Sequence, residues 1–219
     1  QFVQELTQLD TTVWPDIGTG FLPLLQSGGD TLLTEAVLAG IPKAQQKWRA
    51  RLLDSADVLK EKVDTAAQNL NYRTAADTSL AYIAECRALL VADSTAESRE
   101  RLGNALGNYS FYVCFSDQPE RAVSAAREAC SLLHLNWPRK NLAHGYLISG
   151  RWKKAKVEYR AIKDLPDDSG EQEGKKLGET MWTDFQAFAP AGIRPKKLQT
   201  AAELVLGRGL LKKEKEELF

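Results

Sequence analysis

The chain is 219 residues long, 43% hydrophobic and 26% charged, with 29 Lys+Arg balanced by 29 Asp+Glu. A chain of this length buries roughly 70% of the surface that it exposes when unfolded, so a core forms without disulfides or metal, and the composition excludes disorder throughout. The zero formal charge excludes a wholly basic nucleic-acid binder and a polyacidic tail.

The three cysteines, Cys86, Cys114 and Cys130, are odd in number, widely spaced and without a CxxC pair. They read as small buried hydrophobes in a reducing, cytoplasmic setting, and neither a metal nor a cofactor is expected. Apolar stretches stop well short of the roughly 18 residues of a membrane span, and the N-terminus lacks the basic and then apolar pattern of a leader. Gln1 at the start and a single methionine, Met181, read as a piece of a longer or processed polypeptide.

Pro15, Pro23, Pro42 and five glycines crowd residues 1–42, which are expected to form an irregular N-terminal segment. Residues 43–118 then contain no proline, and no glycine before Gly103, as long helices require. Trp48, Leu52, Ala56, Leu59, Val63, Ala66 and Leu70 recur at intervals of 4, 4, 3, 4, 3 and 4, one continuous helical stripe. A second helix over 74–92, with Ala76, Leu80, Ile83 and Leu90 on one side, is expected to pair antiparallel with the first. Asp93-Ser94-Thr95 is the break before the next N-cap. Residues 43–96 thus read as a helical hairpin, either a degenerate repeat or a cap.

A third helix over 97–117 carries Leu102, Leu106, Tyr109, Val113 and Cys114, and Pro119 then opens a fourth over 120–134. Helices over 138–149 and from 151 or 152 to 163 follow, separated by Gly150. Residues 165–174 read as a solvated loop, in which Asp167, Asp168, Glu171 and Glu173 lack the alternating spacing of a calcium site. Shorter helices are predicted near 176–189 and 196–207. The first of these brings Trp182, Phe185 and Phe188 to cover the last apolar face, and 210–219 reads as a frayed helix or linker. Residues 168–219 are therefore assigned to capping helices and a tail. No strand-like alternation survives a window of six residues, so the chain is read as all-α.

One internal period emerges. Aligning Ala122 with Ala155, 33 residues apart, superposes Tyr109 on Leu142, Ser110 on Ala143, Val113 on Tyr146 and Ala126 on Tyr159. The small residues mark places where antiparallel helices approach closely. Asn141-Leu142-Ala143-His144-Gly145-Tyr146, followed by Gly150, Ala155, Tyr159 and Pro166, resembles a tetratricopeptide repeat over 136–167. Residues 103–135 are a looser copy that lacks the second-helix aromatic and the closing proline, and the usual first-helix Trp is missing from both.

The resemblance implies TPR-like repeats over 97–167, stacked as antiparallel helix pairs in an α-solenoid with long N-terminal helices and a C-terminal capping helix. It further implies a non-catalytic scaffold or adaptor that binds a peptide or protein in a concave groove. In that register Asn108 and Asn141 hold equivalent groove positions, where amides can bond the backbone of an extended peptide. Asn104, Phe111, Lys140 and His144 flank them. Lys140 is the only cation among these six, so the carboxylate clamp known in some members of the family is incomplete.

Charge is unevenly spread: residues 1–100 carry 9 basic and 14 acidic side chains, and 101–219 carry 20 and 15. The halves, at −5 and +5, allow self-association or oppositely charged partners. The strongest basic cluster is Arg151, Lys153, Lys154, Lys156, Arg160 and Lys163 with Trp152 and Tyr159 interleaved, read first as a solvated helix face and second as a nucleic-acid contact. The sequence has only His134 and His144 as histidines, and no HExxH, GxSxG or P-loop pattern, so no catalysis is expected. The alternative reading is a regulatory or sensor part of a larger enzyme.

Overall fold

The computed structural model describes residues 31–116, 118–170 and 174–218, with side chains from Lys43 onward. Among the described residues there are nine α-helices and no strand. They are α1 (Thr31–Gln68), α2 (Tyr72–Ala92), α3 (Ala96–Tyr112), α4 (Pro119–Leu132), α5 (Trp137–Ile148), α6 (Trp152–Ile162), α7 (Leu177–Phe188), α8 (Leu198–Leu206) and α9 (Lys212–Leu218). A 3-10 turn over Val113–Phe115 ends α3. None of these helices is long and apolar enough to cross a membrane.

Helix α1 starts before the punctuation of the sequence suggests. It runs through Gly40 and Pro42, so residues 31–42 are helical where an irregular segment was expected, while 1–30 lie outside the described residues. Glycine and proline penalise a helix interior without forbidding it, and the residues flanking them, Leu38, Ala39 and Ala44, are among the least costly in a helix. The chain divides into two compact units, Gln1–Ser55 and Ala56–Phe219. In the first, Trp48 and Leu52 on α1 are half-buried.

The second unit holds the remainder of α1 and the other helices. Ala56 and Val63 continue the stripe into the core, but Leu70 leaves it. Leu70 has φ 58°, the left-handed conformation, and is 71% exposed. The amide of Asn71 donates to Ala66 O at 2.9 Å, the bond that closes a helix whose terminating residue is left-handed. Asn71 then caps α2 by accepting from Thr74 N, and Thr95 caps α3 by accepting from Ser98 N.

Helices α2 to α6 pack in chain order, each against the next; α3 also touches α5, and α8 packs on both α6 and α7. Ala122, Ala126, Ala129, Ala143 and Ala155 are fully buried, as close helix crossings demand. At the α4–α5 crossing, a Cβ on Gly145 would lie 3.1 Å from the backbone nitrogen of Val123. Glycine is what lets these two backbones approach. The C-terminal run expected to fray is docked: Leu218 of α9 is fully buried, and Gln186 Nε2 on α7 donates to Glu217 at 2.7 Å.

Candidate functional site

The six sequence-assigned residues sit on α3 and α5 and meet four different fates. Helix α5 begins with Trp137, and Asn141 lies one turn later on the same face. Both dock on Gly107 of α3. The Trp137 ring takes the space where a Cβ on Gly107 would stand, 2.1 Å from the nearest ring carbon, and Asn141 Nδ2 donates to Gly107 O at 2.9 Å. Asn141 is only 3% exposed, and its Oδ1 is buried without a partner among the described residues. It joins two helices of the stack and is not open to a groove, whereas Asn108 is exposed. The two asparagines are therefore not equivalent, despite their 33-residue spacing.

Lys140 and His144, four residues apart, share another face of α5, and α7 covers that face. Asp184 of α7 accepts from Lys140 Nζ at 2.9 Å and lies 3.0 Å from His144 Nε2, while His144 Nδ1 lies 2.8 Å from the Tyr159 hydroxyl on α6. An ionised carboxylate only accepts, so Nε2 carries the proton and Nδ1 accepts from Tyr159. Burial lowers the His144 pKa below 6.5, opposed by the hydrogen bond to Asp184. Burial alone would raise the Asp184 carboxyl, but the Lys140 charge and the bond to His144 hold it below the usual range. Burial also drives the Tyr159 hydroxyl well above its ordinary value.

The result is a chain of polar contacts, Tyr159–His144–Asp184–Lys140, across three helices. It resembles the wiring of a catalytic centre, yet His144 is fully buried and both its nitrogens are engaged. Neither is free to take a proton from a substrate. Cys114, the other reactive type nearby, donates its thiol to Ser110 O at 3.3 Å, and burial raises its pKa.

Phe111 meets the third fate. It lies 6.5 Å, centroid to centroid, from Phe188 of α7 and 5.3 Å from Phe115, which stacks on Tyr72 at 4.1 Å. Phe185 and Phe188 also face His144, at 5.2 and 5.4 Å. The α5 face assigned to a partner is thus filled by the chain's own α7. Asn104 is half-buried and Asn108 exposed, and neither side chain has a hydrogen-bond partner among the described residues.

The sequence matches no family model, no curated protein and no solved structure.

Asp184 and Tyr159 escaped sequence reasoning as partners of His144, since they lie 40 and 15 residues away. The sequence reads Asp168 as part of a solvated loop, but its carboxylate accepts from Asn136 N at 2.7 Å and Trp137 N at 2.9 Å, capping α5. The spacing that hides this is 32 residues. The loop itself is pinned at its neck by Asp167 N to Lys175 O and Leu177 N to Leu165 O, both 2.9 Å. Among the described residues no group of three His, Cys, Asp or Glu is arranged to hold a metal ion. An open pocket of about 110 Å³ lies beside Ala76, Leu80, Tyr109 and Val113, rimmed by Arg73 and Arg121, and none of the six assigned residues lines it.

Proposed function

We propose that this chain is a protein-binding module of the tetratricopeptide-like kind, with α3–α4 and α5–α6 as two repeats and the partner surface on the open side of α3. The carrying observation is the contrast between two helices that the 33-residue period makes equivalent. The α5 face holding Lys140 and His144 is covered by α7, whereas Asn104 and Asn108 on α3 keep amide donors and acceptors without a partner in the described chain. Such amides suit recognition of an extended backbone. The alanine-lined crossings and the side-by-side packing of α3 and α5 agree with repeat stacking.

Affinity purification of the tagged full chain from its source cells, beside an Asn104→Ala/Asn108→Ala variant, tests the assignment. A protein held stoichiometrically by the wild type and lost from the variant supports it. Equal retention by both overturns it.

A further inference from the structure

Tyr146 of α5 is 5% exposed, and its hydroxyl accepts from Arg127 Nε at 3.1 Å and Nη2 at 2.7 Å. Having accepted two N–H groups, it has a proton of its own to donate, and no acceptor for it lies among the described residues. The Arg127 guanidinium carbon also stands 5.6 Å from the ring centroid, and so does the Lys154 ammonium, which approaches from α6. Two cations from separate helices therefore converge on one ring, each gaining cation–π attraction and each repelling the other.

The carboxylates of neighbouring positions are already committed. Glu120 pairs with Arg151, Glu128 with Arg87, and Glu158 with Arg139. Arg127 and Lys154 have no ion pair among the described residues, nor do Lys153, Lys156 and Arg160, also on α6. Val157, one turn beyond Lys154, is 65% exposed. A hydroxyl donor beneath two convergent cations from α4 and α6, and an exposed apolar side chain one turn along α6 from the second cation, thus mark this part of the surface.

We propose that this surface docks an acidic segment of a partner protein, one carboxylate accepting from Tyr146 Oη, Arg127 and Lys154 while an apolar neighbour covers Val157. The assignment rests on the binding-module reading and adds a second contact surface to it, on helices other than the one that carries Asn104 and Asn108. The complementarity is one of charge and of donor surplus: every group at the centre of the patch donates, and a carboxylate only accepts.

The test is titration of the full chain with a fluorescent decaglutamate peptide at low and at high salt. Salt-sensitive binding is expected, weakened about fivefold by Arg127→Gln and by Lys154→Gln, as exposed ion pairs allow. Tyr146→Phe, which keeps the buried ring and removes both the proton donor and the oxygen that holds Arg127, should weaken it as well. Lys213→Gln, which removes the same charge from α9, should leave it unchanged. The proposal is overturned if Lys213→Gln weakens binding as much as Lys154→Gln, if the three patch variants bind like wild type, or if inorganic phosphate binds here and decaglutamate does not. None of these outcomes bears on copurification through Asn104 and Asn108, so the two readings fail separately.

Discussion

Replacing Asp184 with alanine removes the one carboxylate that joins α7 to α5. Lys140 and Asp184 side chains are 15% and 14% exposed, so the pair is largely shielded from water. Each hydrogen bond to a charged group contributes about 1.5–3 kcal/mol, and two end on this carboxylate. Relief of the desolvation of Asp184 itself offsets part of the loss, but an ammonium and the His144 N–H are left without an acceptor. A net cost of about 3 kcal/mol follows, at the low end for breaking a buried pair. For a unit of this size that lowers Tm by about 6–12 °C. Urea denaturation measures it as a lower midpoint at unchanged m-value. Asp184→Asn, which keeps an acceptor for His144 but no charge for Lys140, should lose about half as much. A loss below about 1 kcal/mol for Asp184→Ala would show that the contact is peripheral and that Phe185 and Phe188 alone seat the helix.

Three further perturbations address other parts of the fold. Because the folded-state pKa of His144 lies below 6.5, its contribution is fully present above pH 6.5 and is lost as pH falls toward the folded value. Wild type should lose up to about 1.4 kcal/mol per pH unit there relative to His144→Gln, measured by urea denaturation between pH 5 and 7.5, and parallel profiles would contradict this. Leu70→Gly should stabilise by about 1 kcal/mol, since a left-handed leucine carries a steric cost that glycine does not, and thermal unfolding would show a Tm raised by about 2–4 °C. Gly107→Ala should cost about 1–3 kcal/mol through overlap with Trp137. A double-mutant cycle with Trp137→Leu should recover much of that, and strict additivity would refute the overlap.

Helix existence was legible because most boundaries are written locally. Asp93-Ser94-Thr95, Pro119 and Gly150 interrupt apolar stripes of the right period, and the observed ends fall within a few residues of them. Leu70 departs from the expected stripe because a left-handed closing residue stands at helical spacing yet points out of it. Residues 31–42 are helical against that punctuation because glycine and proline penalise a helix without forbidding it. The site was legible only in part. A 33-residue period carries side chains to matching helix positions but says nothing of what packs on them. Asn141 faces Gly107 O and has a neighbour on that side; Asn108 does not. The partner of His144 lies on a helix 40 residues away, and no local pattern announces a contact of that kind.

The seating of α7 on α5 also sets the terms for any outside ligand of that face. Helix α7 follows α6 through residues 163–176, so it competes as a tethered ligand at an effective concentration on the order of 1 mM. If the detached helix bound with a Kd of ~1 µM, the tether would hold the face occupied about a thousandfold over vacant. A free peptide of equal intrinsic affinity would then bind about a thousand times more weakly than its contacts alone suggest. Occupancy of Lys140 and His144 by another molecule is therefore governed less by how well that molecule fits than by whatever loosens Asp184.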